Sequence, residues 1–201
     1  MKQSRSGFLI IAGLVTVAGL AVVAALLGGR TRPPLSVIGN VPEFSLVDTS
    51  GEPFSNQKLA GNPYVVDLIF THCAAICPRM TSAMNKLENE TRSVEGLKFL
   101  SISVDPERDT PEVLDAYADR VGANRDRWFF LTGDKPEIWN LASEGLLLPL
   151  LEGNQELGDD EIIHSQYFVL VDGEAQIRGV YDMRDAEAML RLRGDVRSLS
   201  P

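Results

Sequence analysis

Apolar and polar positions follow two rhythms along this chain. Residues 43–48 (Glu-Phe-Ser-Leu-Val-Asp) alternate with period two and run into the turn signal Thr49-Ser-Gly-Glu52, which predicts a strand and a hairpin. Residues 64–70 (Tyr-Val-Val-Asp-Leu-Ile-Phe) predict a mostly buried strand. Met80, Ala83, Met84 and Leu87 then mark one apolar helical face. Pro78 suits the first position of that helix, where its missing N–H would have no partner anyway. A strand is predicted over 97–104. Thr110-Pro-Glu112 starts a second helix, with Val113, Leu114, Tyr117, Ala118 and Val121 inward. A short strand over 128–131, a short helix over 136–143 and an irregular stretch over 146–158 follow. Residues 167–171 and 175–181 pair as a hairpin around Asp172-Gly173, and a helix over 185–193 closes the chain. Alternating strands and helices predict an α/β layer fold, and the last hairpin makes its sheet mixed. There is no internal repeat.

The N-terminal part has a different pattern. Phe8 to Leu27 is a run of 20 uncharged residues with Thr16 as its sole hydroxyl. As a helix it would span about 30 Å, the thickness of a bilayer's hydrocarbon core. A cleaved signal peptide usually has an apolar region of only about 7–15 residues and a small-x-small site after it. Here the run is longer and ends in Leu26-Leu27-Gly28-Gly29, so it is read as an uncleaved anchor. The organisation is then a short basic leader over 1–7, a transmembrane anchor over 8–27, a stiff linker over 28–39 containing Arg30-Thr-Arg-Pro-Pro34, and a globular domain over 40–201. Lys2 and Arg5 before the span nearly balance Arg30 and Arg32 after it. A short leader ahead of a large domain points to export. The leader is too short for a mitochondrial presequence, so the expected place is a bacterial inner membrane, with the domain facing the periplasm or the outside of the cell.

Composition narrows the function classes. The 201 residues are 44% hydrophobic and 23% charged, which excludes a disordered chain, a collagen-like repeat and a disulfide-dense miniprotein. Four of the 19 basic residues lie at or before Arg32. The remainder carries 15 against all 28 acids, a net charge of -13, which argues against nucleic acid as a partner. Only two cysteines and two histidines are present. Soft-metal or thiol chemistry therefore rests on Cys73, Cys77, His72 and His164.

Cys73 and Cys77 fall between a predicted buried strand and a helix N-terminus. Backbone N–H groups and the positive end of the helix dipole there favour thiolates, the form that binds metal and attacks disulfides. The spacing is C-x3-C, one residue longer than the C-x-x-C of thioredoxins. It lets the sulfurs join in a disulfide and also leaves room for both to hold one ion. His164, just before the strand over 167–171, is the natural third ligand: in a thioredoxin-like fold the loop leading into that strand faces the cysteine loop. Two thiolates and an imidazole suit copper as Cu(I) or Cu(II). Zinc held by the same groups with His72 is the competing reading, though His72 adjoins Cys73 and is treated as a bystander. A plain structural disulfide is the simplest alternative in an exported protein.

Three ordered motifs carry a resemblance. They are Phe70-Thr-His-Cys-Ala-Ala-Ile-Cys-Pro78, Ile102-Ser-Val-Asp-Pro-Glu-Arg-Asp-Thr-Pro-Glu112, and His164-Ser165 ahead of a strand. Over roughly residues 40–185 the chain resembles the Sco/SenC family of copper chaperones for cytochrome c oxidase assembly. The resemblance implies a thioredoxin-like domain on a single membrane anchor. It further implies one copper per chain, held by Cys73, Cys77 and His164. The implied roles are copper delivery to the binuclear centre of oxidase subunit II and reduction of that subunit's cysteines, with a separate copper-donor chaperone upstream. The family usually has Pro and Asp after the first cysteine, where this chain has Ala74 and Ala75, and Asp before the histidine, where it has Ile163. Asp160 and Glu161 are the nearest acids to that position.

Two function classes follow: a carrier that holds and hands over copper, and a thiol–disulfide reductase with Cys73 and Cys77 as its redox pair. His164 separates them, because only the carrier needs it. A peroxiredoxin-like peroxidase fits less well, since Phe70-Thr71 lacks the proline pattern that precedes the reactive cysteine of those enzymes. The Asp105–Pro111 stretch is either a rigid loop between a strand end and a helix cap or a direct participant in the site.

Overall fold

The computed structural model describes residues 34–73, 76–148, 150 and 166–199. Contacts separate Met1–Pro34 from Leu35–Pro201, and every element below belongs to the second unit. The anchor expected over 8–27 lies outside the described residues, and no helix among the described residues is long and apolar enough to cross a membrane.

Among the described residues, eight strands form one mixed sheet: β1 (Gly39–Asn40), β2 (Ser45–Asp48), β3 (Pro53–Ser55), β4 (Tyr64–Ile69), β5 (Lys98–Ser103), β6 (Trp128–Thr132), β7 (Tyr167–Val171) and β8 (Gln176–Asp182). Their order across the sheet is β1-β8-β7-β4-β5-β6-β2-β3. The centre, β4-β5-β6, is parallel and is built by α1 (Cys77–Glu90) and α2 (Pro111–Val121) as crossovers. Both outer parts are antiparallel. Parallel central strands are covered on both faces, and all six residues of β4 are buried accordingly.

Local chemistry explains the boundaries. In the β2–β3 hairpin, Asp48 Oδ1 accepts the N–H groups of Ser50 (2.9 Å) and Glu52 (3.1 Å), and Gly51 supplies the φ of +80° that the turn requires. Thr110 caps α2, its hydroxyl accepting from Val113 N–H at 3.4 Å, while Pro111 opens the helix and Gly122 ends it in the left-handed conformation. α1 and α2 lie side by side: the Thr81 and Tyr117 hydroxyls are 2.7 Å apart, and Asn85 Nδ2 donates to Val121 O at 3.0 Å.

Several boundaries depart from the pattern. α1 starts at Cys77, one residue before Pro78. The short helix α3 (Lys135–Asn140) continues into a π-helical turn, Leu141–Gly145. The closing helix, α4 (Ala186–Ser198), passes through Gly194 well beyond Arg193. Tertiary contact drives that extension: Leu192 and Val196 are fully buried, and Asp195 accepts the Tyr181 hydroxyl at 2.8 Å. β1 has no hydrophobic period of its own and exists by pairing Gly39 and Asn40 with Ile177 and Gln176 of β8.

Candidate functional site

The parallel strands β4 and β5 end at the same edge of the sheet, the place where α/β folds leave room for a site. The loop after β4 carries Cys73 and leads into α1, whose first residue is Cys77. Cys73 N–H donates to Phe70 O at 3.3 Å, which folds the loop back on the strand end. At the start of α1, Ile76 sits in the capping position and offers no capping side chain. The Cys73 sulfur takes that part instead, accepting Cys77 N–H at 3.3 Å. One sulfur thus faces a helix N-terminus and a backbone donor. Both cysteines are buried and neither is in a disulfide.

Beneath them lies a chain of buried polar groups. Trp128 Nε1–H donates to Ser101 Oγ at 3.0 Å, and Ser101 O–H donates to Asp67 Oδ1 at 2.7 Å. Asp67 and Ser101 are register partners on β4 and β5, so their side chains leave the sheet on the same face. Asp67 is fully buried, and its Oδ2 has no hydrogen-bond partner among the described residues. Burial pushes its carboxyl up to about 7, against the downward pull of the Ser101 hydroxyl. Burial also pushes the Cys77 thiol well above the ordinary range. The Cys73 sulfur and the Asp67 carboxylate act in the same direction, and a backbone hydrogen bond with Phe70 opposes them. The cysteine pair is therefore asymmetric: Cys73 accepts an N–H, whereas Cys77 is held as a neutral thiol.

The loop after β5 fastens the cysteine loop. Asp109 is fully buried. Its Oδ2 accepts Thr71 N–H at 3.0 Å and Ser103 O–H at 2.6 Å, and its Oδ1 accepts Thr71 O–H at 2.5 Å. The Ser103 hydroxyl in turn accepts Asp105 N–H at 3.1 Å. The Asp105–Pro111 stretch is thus a rigid buttress of the site. His72 is largely exposed, with Nδ1 3.2 Å from Thr71 Oγ1 and 3.9 Å from Asp109 Oδ1. Among the described residues, no three His, Cys, Asp or Glu side chains gather as a metal cluster.

His164, with Ile163, Asp160 and Glu161, lies outside the described residues, as do Ala74 and Ala75. β7 runs antiparallel to β4, with Val66 opposite Val169 and Tyr64 opposite Val171. The start of β7, Tyr167, therefore lies toward the end of β4 that leads to the cysteines. His164 precedes Tyr167 by three residues in the chain.

A model of the SCO1/SenC family matches residues 37–194. The chain belongs to the SCO1/SenC family. Its fold is the α/β fold of that family, a mixed sheet with flanking helices in the thioredoxin-like class. It is 29% identical over 193 residues to the SCO1 protein homolog of Bacillus subtilis (strain 168), covering 95% of this chain and 97% of the relative. The structure of BsSco, a member of the Sco family of cytochrome c oxidase assembly proteins in which a disulfide switch was identified, superposes with a TM-score of 0.71 at 28% identity. That match covers 84% of this chain and 98% of the other. Yeast Sco1 with copper bound gives a TM-score of 0.65 at 27% identity over 81% of this chain and 91% of the other.

Asp67 is the site residue that motif reading passed over, whereas Asp109 lies within the Asp105–Pro111 stretch but is not singled out there. A signal for Asp67 is present: it is the one charged residue inside an apolar strand, six positions before Cys73. For Asp109 the motif marks the stretch but not the contact, because its partner Thr71 is 38 positions away.

Proposed function

We propose that this protein is a membrane-anchored copper chaperone that takes part in cytochrome c oxidase assembly. Copper is its cargo, one ion per chain, held by the thiolates of Cys73 and Cys77 and the imidazole of His164. The single observation that carries the reading is the Cys77 N–H bond to the Cys73 sulfur. It gathers both cysteines within one helical turn at the sheet edge toward which β7 begins. Two soft sulfurs with one imidazole fit copper in either oxidation state. The yeast family member described with copper bound, and the family's place in oxidase assembly, support the same cargo and recipient class. The recipient is oxidase subunit II, and a separate chaperone donates the ion. The segment over 8–27 anchors the chain in a bacterial inner membrane, with the domain facing the periplasm or the outside of the cell.

In this role the chain's residues act on protons and position. Cys73 and Cys77 each give up a proton on loading, so uptake weakens as pH falls. The N-terminus of α1 supports the negative charge that results. Asp109 and Thr71 fix the loop so that the sulfurs do not have to be ordered at each loading.

A second activity, reduction of disulfides in the recipient's copper site, is favoured by one observation. The two thiols differ, Cys73 being bonded to an N–H and Cys77 buried and neutral, as nucleophile and resolving thiol do in dithiol reductases. Titration of the reduced, full-length protein with Cu(II) tests the main reading. One equivalent with thiolate-to-copper charge-transfer absorption is expected. Uptake of zinc alone, with no such bands, overturns it.

A further inference from the structure

A cleft of about 580 Å3 opens beside Cys73, between α1 and α2. Thr71 and Pro78 line it at the cysteine end, Ser82 and Asn85 along α1, and Tyr117 and Arg120 along α2. The helices run in the same direction, because Thr81 meets Tyr117 and Asn85 meets Val121 one turn further on. Arg120 therefore stands at the end of the cleft away from Cys73. From Pro78 to Asn85 is seven helical positions, about 10 Å, which an extended chain covers in roughly three residues.

The charge of the cleft is the reverse of its surroundings. The chain after Arg32 is net -13, yet Arg120 has no carboxylate partner among the described residues. The nearby acids of α2, Asp115 and Asp119, are both taken by Arg125, at 2.9 and 2.7 Å. Arg120 instead lies 4.8 Å from the centroid of the Tyr117 ring, and the Tyr117 hydroxyl is tied to Thr81. The cation is held in place by a fixed aromatic ring and remains available to an anion.

We propose that this cleft seats an extended, acidic stretch of a partner protein, with one of its carboxylates on Arg120 and a cysteine about three residues away beside Cys73. The presence of the cysteine rests on the copper-handing role above; the charge preference does not. An acidic segment is repelled by most of this surface, so a cation with no carboxylate partner among the described residues, at the far end of the cleft from Cys73, selects where it lands and in which direction.

The test uses two short fluorescent peptides that differ in one residue. Each carries a cysteine, with Glu about three positions away in one and Gln in the other. Both are titrated into the full-length chain in detergent under reducing conditions, with anisotropy as the readout. The Glu peptide should bind about fivefold more tightly, the effect of one partly exposed ion pair. Arg120→Gln should abolish the difference, and Ser82→Trp, which fills the cleft, should weaken both peptides. Equal binding of the two peptides, a preference that survives Arg120→Gln, or indifference to Ser82→Trp overturns the proposal. So does displacement of the Glu peptide by N-acetylcysteine as effective as that by the unlabelled peptide, which would make the occupant a small thiol acid. Copper uptake is read separately on the same preparations and should be unchanged by Arg120→Gln. Failure of the wild-type chain to take up copper would remove the chaperone reading and leave the charge preference standing.

Discussion

Asp109 holds Thr71 by both its backbone and its side chain, with the Thr71 N–H on Oδ2 at 3.0 Å and the Thr71 hydroxyl on Oδ1 at 2.5 Å. The two residues belong to loops that leave neighbouring parallel strands, so this contact ties the cysteine loop to the start of α2. Because Ser103 O–H also donates to Oδ2, one buried carboxylate accounts for three donors. Removing it leaves those donors unsatisfied in the interior, which costs more than the bonds themselves contribute.

Asp109→Ala should destabilise the domain by about 2–4 kcal/mol, which lowers Tm by roughly 5–15 °C for a domain of this size. Asp109→Asn keeps an acceptor oxygen and should lose less. Thermal unfolding followed by circular dichroism checks both. An Ala variant with wild-type Tm would mean that the loop is held by other contacts.

Asp67 gives stability a pH dependence opposite to that of a salt-bridged carboxylate. Its folded-state value is pushed up to about 7, whereas the unfolded chain titrates in the ordinary carboxylate range near 4. Between those values the folded protein binds the proton and the unfolded chain does not. Stability should therefore fall as pH rises from about 4 to about 7 and level off above. Asp67→Asn removes the dependence. The variant's gain relative to wild type should grow across that window to at most about 4 kcal/mol at pH 8. Denaturant titrations between pH 4 and 8 measure it, and a constant difference between the two proteins would refute the assignment.

How far the sequence revealed this arrangement depended on the range of the contacts. The helical face Met80, Ala83, Met84 and Leu87, the Thr110 cap and the Asp172-Gly173 hairpin are local, and all three stand as their patterns predict. The placement of the cysteines at the strand-to-helix junction was legible for the same reason, although Cys77 proves to be the first residue of the helix. Contacts of long range were not. The acceptance of Thr71 by Asp109, the pairing of Asp67 with Ser101 and the two-residue strand β1 against β8 depend on which strands become neighbours, and no local rhythm encodes that. Gly194 hid the last turns of α4, because the low helix propensity of glycine is overridden there by burial of Val196.

The unequal environments of the two thiols should be visible in their reactivity. Only the thiolate alkylates, and burial holds the Cys77 thiol protonated well above the ordinary range. In the metal-free, reduced state, Cys73→Ser leaves Cys77 alone and should react with iodoacetamide at pH 8 at least roughly tenfold more slowly than Cys77→Ser, which leaves Cys73. Equal rates, measured by mass spectrometry over time, would mean that the loop opens faster than the reagent attacks.

Oxidation should switch the cargo site off. Closing a Cys73–Cys77 disulfide from the two thiols passes two electrons and two protons to the oxidant and leaves neither sulfur free to ligate. The oxidised protein should then bind copper poorly and recover after mild reduction. Cys73→Ser and Cys77→Ser should each abolish both copper retention and dithiol chemistry. His164→Ala should separate the two functions, since it removes an imidazole and leaves the cysteine pair able to cycle. Its copper affinity should drop by more than the ~10–100-fold typical of changes to groups that merely orient a ligand. Assembly of active oxidase in cells distinguishes the readings. If all three variants fail while His164→Ala still reduces disulfides in vitro, copper handling is the essential activity, and this is the expected outcome. If assembly survives His164→Ala and fails only with the cysteine variants, the protein works as a reductase and the carrier reading falls.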